Sequence, residues 1–284
     1  MPEIDAHAVK EQQRQDWARA APGWRKNHDH LAQVTAPVSR RLLELADVAP
    51  GKRVLDIASG SGEPAIPAAQ IVGPEGFVLG TDLSPEMLAV ARDNAQQRGL
   101  ANIEFRQVDG EELDVEPGTF DAVLCRWGIM FMPEPLRCLR QAHRALKPGG
   151  RIAVSVWGPP ENNPFFTVPM AVLRRYTEVP APQPGAPGPF AFADSSRLAA
   201  ALQEAGFTDV GVDGMDVVMA DFDSGEAYWR YTRELAAPIA TLFERLPADT
   251  RETVGREIAE AAVAGRPDGR VLLGGHPLLG YGVK

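Results

Sequence analysis

Residues 54–64, Val-Leu-Asp-Ile-Ala-Ser-Gly-Ser-Gly-Glu-Pro, decide how this chain folds. The segment begins as a short apolar run, passes through a turn of small residues, and continues from Pro64 into an apolar stretch that ends at Ile71. A short apolar run bounded by glycine is typical of a buried parallel strand. Proline suits the first position of a helix. The segment therefore predicts strand, glycine turn and helix, the opening of a Rossmann-type sheet with a ligand at the carboxyl end of the strand.

Two acidic residues flank the turn and indicate which ligand it serves. The relaxed dinucleotide pattern G-x-G-x-x-A fits residues 60–65, and Asp82 follows at a spacing that suits a ribose. A pyrophosphate, however, binds a helix N-terminus because bare N–H groups favour negative charge. Asp56 and Glu63 would repel it and favour a ligand with positive charge. S-adenosylmethionine, with its ammonium and sulfonium, is the preferred ligand, and NAD is the alternative.

The motif D-x-A-x-G-x-G at residues 56–62 resembles the first motif of class I S-adenosylmethionine-dependent methyltransferases, which usually has glycine where Ala58 stands. Residues 146–150, L-K-P-G-G, resemble the family's turn before the fifth strand. The resemblance covers roughly residues 30–160 and is nearest to the type 11 group, which includes the ubiquinone and menaquinone biosynthesis enzymes. Quinone enzymes usually have a more polar sequence than residues 127–131, WGIMF, so a secondary-metabolite enzyme is at least as consistent.

The resemblance implies a Rossmann-like sheet of seven mostly parallel strands, with helices on both faces and an antiparallel last strand. A helix over residues 6–32 is expected to break at Pro22-Gly23, and one sixth strand is expected across residues 210–219. The expected domains are an N-terminal helical lid at 1–35, the donor-binding core at 36–157, a proline-rich insertion at 158–195, a continuation of the core at 196–223, a helical cap at 224–270 and the last strand at 271–284.

The donor site is expected along the carboxyl edge of the sheet. An acid at Asp82 can accept hydrogen bonds from both ribose hydroxyls. The resemblance implies that Leu83 and Met87 sandwich the adenine, that Asp109 takes its amino group, and that a backbone carbonyl near Cys125 holds the donor's amino group. The expected donor-binding residues are Asp56, Ala58, Ser59, Gly60, Gly62, Asp82, Leu83, Met87, Asp109, Gly110, Cys125 and Arg126.

The acceptor side is less sharply defined by the sequence. The segment after the fourth strand is apolar and aromatic, which fits either a flat acceptor or plain core. The expected acceptor contacts are Trp24, which the resemblance brings near the methyl group, and Trp127, Met130, Asn163 and Phe165.

No catalytic residue is assigned, because a base is needed only if the acceptor must lose a proton. His28 and Arg126 are candidates. A histidine titrates near neutrality. Arg126 could pair with Glu63 or Asp56, or bind an acceptor carboxylate or enolate.

Composition excludes several other classes of protein. The 284 residues carry a net charge of −9, which disfavours nucleic acid as a partner. No apolar run approaches the ~20 residues of a membrane span, and no secretory leader is expected from the N-terminal sequence. Cys125 and Cys138 are expected as reduced thiols, which favours the cytoplasm. No metal-ligand cluster is evident, and the chain is expected to be a monomer or homodimer.

These observations predict an enzyme that transfers a methyl group to carbon, oxygen or nitrogen of a small aromatic or apolar acceptor. Two alternatives stay open: an NAD(P)-dependent oxidoreductase on a similar sheet, and a protein that binds the donor without turnover.

Overall fold

A computed structural model describes residues 5–179 and 185–284 of the chain, and its central feature is a seven-stranded sheet. The strands in chain order are β1 (Arg53–Ile57), β2 (Phe77–Asp82), β3 (Ile103–Gln107), β4 (Phe120–Arg126), β5 (Leu146–Trp157), β6 (Thr208–Gly214), β7 (Val217–Phe222), β8 (Val271–Gly275) and β9 (Pro277–Val283). The sheet has the order β3-β2-β1-β4-β5-β9-β6. Only β9 runs antiparallel to its neighbours β5 and β6, as the sequence predicts.

Helices cover both faces of this sheet. They are α1 (Ala6–Lys26), α2 (His28–Leu45), α3 (Ala65–Val72), α4 (Pro85–Gln97), α5 (Pro135–Ala145), α6 (Pro164–Leu173), α7 (Ser195–Glu204), α8 (Gly225–Leu235), α9 (Ala237–Glu244) and α10 (Ala248–Ala262). None of the helices in the described ranges is long and apolar enough to cross a membrane. In β1, Val54, Leu55 and Ile57 are almost wholly buried, because helices pack on both faces of a parallel sheet.

The N-terminal helices differ from the prediction. The break expected at Pro22-Gly23 is wrong: α1 continues through both residues, and the division falls at Asn27. Gly23 has another role, since a Cβ there would stand 2.1 Å from the carbonyl oxygen of Glu234 in α8. The glycine therefore permits close packing of α1 on α8. The expected boundary between the N-terminal lid and the core, between residues 35 and 36, falls inside helix α2.

The single sixth strand expected over residues 210–219 is also wrong. The chain forms two strands there, and only β6 joins the main sheet. Strand β7 instead pairs antiparallel with β8 in a separate two-stranded sheet. Consequently the segment 271–284, expected as one last strand, contributes β8 to the small sheet and β9 to the main one.

A second hydrophobic core lies outside the main sheet. It is formed by α6, β7, α8, α9, α10 and β8, which are together called the cap below. Its fully buried members include Leu173, Tyr228, Val254, Ile258 and Val271. Because Leu173 belongs to α6, the helix within the proline-rich insertion is part of the cap.

Candidate active site

The glycine turn after β1 has a backbone that most side chains disfavour. Ala58, Gly60 and Gly62 have φ values of 57°, 53° and 102°. A Cβ at Gly62 would stand 2.7 Å from Cδ1 of Ile66 in α3, so the turn packs directly on the helix that follows it. Ala58 takes the left-handed conformation that glycine adopts freely, at a cost of roughly 1–2 kcal/mol for an L-residue. The backbone thus shows why the family motif usually has glycine there.

Asp56 is the most exceptional acid of the site. It is fully buried, and neither carboxylate oxygen makes a hydrogen bond of good geometry among residues 5–179 and 185–284. Ser59 Oγ is likewise buried and has no hydrogen-bond partner among the described residues. Burial raises the pKa of Asp56 well above its ordinary value, while the charge of Arg126 and the backbone N–H of Ala65 oppose that rise. Buried polar atoms are rarely left unpaired in native proteins. These oxygens therefore fit a ligand that brings N–H donors and positive charge, as the donor's ammonium does.

Arg126 and Glu63 are linked through a serine. Arg126 Nη1 donates to Ser39 Oγ at 3.2 Å, and Ser39 Oγ donates to Glu63 Oε2 at 3.4 Å. Burial lowers the pKa of Arg126, and the carboxylates of Glu63 and Asp56 oppose that change. Of the roles the sequence left open for Arg126, the structure shows the link to Glu63.

Asp82, the acid expected to hold the ribose, organises the glycine turn. Its carboxylate accepts the backbone N–H of Gly60 at 2.9 Å and that of Ser84 at 2.9 Å. Burial raises the pKa of Asp82, and these N–H groups oppose the rise. Each carboxylate oxygen can accept more than one hydrogen bond. The same carboxylate can therefore hold the turn and accept ribose hydroxyls.

The residues expected around the adenine lie under helix α1. Asp109 Oδ1 accepts the N–H of Glu111 at 2.9 Å, and Asp109 Oδ2 accepts from Lys10 Nζ at 2.6 Å. Met87 is buried against Ala21 of α1. Leu83, which is half-buried, accepts a hydrogen bond from Gln107 through its carbonyl oxygen. A Cβ at Gly110 would stand 2.8 Å from Ile57 Cγ2, so this segment lies close against the end of β1.

Helix α1 is fastened over this edge by contacts that the sequence did not reveal. Lys10 Nζ lies 2.5 Å from Glu111 Oε2, and Glu111 is fully buried. Burial disfavours the charge of Lys10, but the two carboxylates outweigh it and raise its pKa. Farther along α1, Gln13 donates to the carbonyl oxygen of Phe131, and the ring of Trp17 meets that of Phe131 edge-on. A lysine in a polar helix carries no local signal of such a partner.

The segment that leaves β4 connects the glycine turn after β1, called the donor turn below, to a cluster of aromatic rings. Trp127 has φ 57°, and its indole stacks on Trp157 with ring centroids 4.5 Å apart. A Cβ at Gly128 would stand 2.6 Å from the Cβ of Ala58, so the segment presses on the glycine turn. Cys125 is buried, and burial raises the pKa of its thiol to about 12. The side chain of Cys125 packs in the main hydrophobic core.

The other expected acceptor contacts are distributed differently. Phe165 lies 4.8 Å from Trp157, in the aromatic cluster. Met130 is fully buried in the main core. Trp24 Nε1 donates to the carbonyl oxygen of Leu235 at 3.3 Å, which ties α1 to α8.

Asn163 is fully buried, and its amide is used within the protein. Nδ2 donates to the carbonyl oxygens of Gly158 and Pro159, and Oδ1 accepts the N–H of His276. Asn163 therefore fastens the segment after β5 to the residue between β8 and β9, and its expected contact with the acceptor stays a prediction.

Both ring nitrogens of His28 have hydrogen-bonding neighbours within the protein. Its ring nitrogens lie 3.2 Å from Asn94 Nδ2 and 3.2 Å from Arg98 Nη2, so both face N–H donors. Burial, followed by the charge of Arg98, lowers the pKa of His28. The ring lies within the packing of α2 and α4. Among the described residues, no group of three or more His, Cys, Asp or Glu side chains could hold a metal ion.

Comparisons with known proteins match the part of the chain that holds β1 to β5. A family profile described as a methyltransferase domain matches residues 49–164. Aklanonic acid methyltransferase DauC of Streptomyces sp. (strain C5) is 35% identical over 151 residues, which cover 50% of this chain and 68% of that protein. The ubiquinone/menaquinone biosynthesis C-methyltransferase UbiE of Pseudomonas entomophila (strain L48) is 41% identical over 124 residues.

The coverage of the second relative is smaller. Its alignment includes 43% of this chain and 48% of that protein, so the match spans about half of its length. The solved structure of the YcgJ protein from Bacillus subtilis shares the fold, with a TM-score of 0.57 at 19% identity. That superposition covers 87% of this chain and 97% of the other.

Proposed function

The chain belongs to the class I S-adenosylmethionine-dependent methyltransferases, and we propose that it methylates a small aromatic or apolar acceptor. The acceptor would lie between the carboxyl edge of the sheet and the cap. One observation carries the proposal: the stacked rings of Trp127 and Trp157 continue to Phe165 immediately beside the donor turn. Such rings provide a large apolar surface for a flat molecule.

The donor supplies a methyl group already activated on a sulfonium. The chain's own residues position that group and exclude water from it. In the proposal Asp82 holds the ribose, Asp109 the adenine edge and Asp56 the ammonium end. The unpaired oxygens of Asp56 support the last assignment. Lys10 would hold α1 across the adenine side and so limit the access of water.

The proposed acceptor is nucleophilic without a strong base. His28, the histidine singled out by the sequence, has both ring nitrogens facing donors. An enol, a phenol or an amine would suit such a site. The two relatives, which are named for aklanonic acid and for quinone biosynthesis, support a small-molecule acceptor. Transfer to carbon, oxygen or nitrogen is part of the proposal, as is a cytoplasmic location, which the free buried thiols of Cys125 and Cys138 support.

Donor binding can be tested by calorimetry with S-adenosylhomocysteine and, separately, NADH. We expect the wild type to bind the homocysteine product at micromolar concentration and not to bind NADH. Asp82→Ala should weaken product binding by at least about tenfold, since hydrogen bonds to a charged group are each worth roughly 1.5–3 kcal/mol.

Asp121→Ala is the matched control. Asp121 also accepts a backbone N–H, that of Arg53 at 2.8 Å, but at the opposite edge of the sheet. Its loss should leave product affinity unchanged. NADH binding without product binding would overturn the assignment of the donor.

The acceptor class can be tested with radiolabelled donor and a panel of hydroxynaphthoquinones, phenolic acids and aliphatic amines. Label should pass to aromatic members of the panel. Transfer to the aliphatic amines alone would contradict the proposed acceptor while leaving the donor assignment intact.

A further inference from the structure

One polar group of the aromatic cluster has no partner. Nε1 of Trp127 is buried and makes no hydrogen bond within the part of the chain that the structure describes. Buried tryptophan N–H groups usually find an acceptor. The N–H of Trp24, for example, donates to the carbonyl oxygen of Leu235. The indole N–H of Trp127 is therefore a hydrogen-bond donor that the protein itself does not use.

The backbone holds this indole at an energetic cost. Trp127 has φ 57°, a left-handed conformation that is uncommon for a bulky residue. The backbone N–H of Trp127 is hydrogen-bonded to β5, where it donates to the carbonyl oxygen of Ser155 at 2.9 Å and to Ser155 Oγ at 3.2 Å. Strained backbone in native proteins clusters at ligand sites. In Trp127 the strained backbone and the unused side-chain N–H occur in the same residue.

The surroundings of the ring indicate what the N–H can reach. The π system is engaged by Trp157, stacked at 4.5 Å, and by the guanidinium of Arg126, 4.9 Å from the ring centroid. These contacts fix the plane of the indole and leave its N–H as the unsatisfied group. The next residue, Gly128, lies against Ala58 of the donor turn. The residue that carries the unused N–H is therefore adjacent in the chain to the one that packs on the turn.

We infer that the Trp127 indole N–H hydrogen-bonds an oxygen of the acceptor and thereby selects aromatic compounds that carry a carbonyl or an ionised hydroxyl group. This inference rests on the proposed function and specifies its substrate class. A fixed donor aimed at an oxyanion stabilises the ionised acceptor. An acceptor that is already ionised needs no base.

Trp127→Phe tests the inference, because it keeps an aromatic ring and removes the N–H. The protein is saturated with S-adenosylhomocysteine, and calorimetry measures the binding of two flat probes: the hydroxynaphthoquinone lawsone, which has oxygens, and indole, which has none. We expect the variant to bind lawsone at least about tenfold more weakly, as for loss of a hydrogen bond to a charged group, and to bind indole within about twofold of wild type. Trp157→Phe, which changes the other ring of the stack, should affect both probes alike.

The outcomes separate this inference from the proposed function. If the wild type binds S-adenosylhomocysteine but Trp127→Phe weakens both probes equally, Trp127 is only a packing residue and the inference is overturned. Failure of the product-bound wild type to bind lawsone overturns it as well. Failure of the wild type to bind S-adenosylhomocysteine would instead contradict the proposed function itself.

Discussion

The carboxyl edge of the main sheet, which holds Asp56, Asp82 and Asp109 and is called the donor edge below, differs from the cap in how its residues are brought together. The donor edge takes Asp56 and Asp82 from the carboxyl ends of β1 and β2, and Asp109 from the turn that follows β3. The cap joins α6 to helices and strands about fifty to one hundred residues later in the chain and has its own hydrophobic core. A site built at consecutive strand ends is specified locally, whereas the cap exists only when distant segments pack.

The two regions also differ in chemistry. The donor edge carries buried carboxylates, with Asp56 unpaired and Asp82 fixing the backbone of the turn. The side that faces the cap carries stacked aromatic rings and the unused indole N–H of Trp127. Charge and backbone geometry suit a donor of fixed structure. Ring surfaces suit acceptors that can vary among relatives.

The largest expected effect comes from opening a cavity in the cap. Ile258 of α10 is fully buried there, and truncating such a residue costs about 2–5 kcal/mol. We therefore expect Ile258→Ala to destabilise the cap, measured by thermal unfolding, while S-adenosylhomocysteine binding stays within about twofold of wild type.

Leu124→Ala provides the counterpart in the main core, where Leu124 is fully buried in β4. It should lower stability and donor affinity together. Equal loss of donor affinity in both variants would show that the two regions are one cooperative unit.

A smaller effect is expected where α1 joins the donor edge. Lys10→Met leaves the buried Glu111 Oε2 without its ion pair, which costs about 1–3 kcal/mol. Hydrogen exchange of the α1 amides should become roughly five- to thirtyfold faster, because one to two kcal/mol changes a population by that factor. Release of S-adenosylhomocysteine should accelerate in the same direction.

Lys26→Met is the control on the same helix. Lys26 pairs with Glu234 at a more exposed position, and such pairs contribute little. If both variants exchange alike, the Lys10 ion pair does not hold the helix over the donor edge.

The smallest predicted effect concerns the glycine turn. Ala58→Gly relieves a left-handed alanine, worth about 1–2 kcal/mol, and loses about 0.4–1 kcal/mol through the unfolded chain. A net stabilisation of roughly 0.5–1 kcal/mol is expected from denaturant unfolding. Ala89→Gly, at an exposed position of α4, should instead destabilise by about 1 kcal/mol. A loss of stability in both variants would contradict strain at Ala58.

The sequence by itself determined the main sheet and the positions of the donor-edge acids. Apolar runs and glycine turns specify strands and their ends locally, so Asp56, Asp82 and Asp109 all lie at the carboxyl edge. Strand order and the antiparallel β9 follow the family resemblance. These features could be predicted because each depends on residues close together in the chain.

Only the tertiary structure decided the rest. The pairing of β7 with β8, the Lys10 ion pairs and the closed amide network of Asn163 each join residues about fifty to one hundred positions apart or more. Whether Gly23 ends a helix or admits a neighbour likewise depends on Glu234. No local pattern encodes such partners, because burial and charge pairing arise only after the elements pack. For that reason the sequence predicted the strand ends that form the donor edge, whereas the arrangement of the acceptor side depended on how distant segments pack.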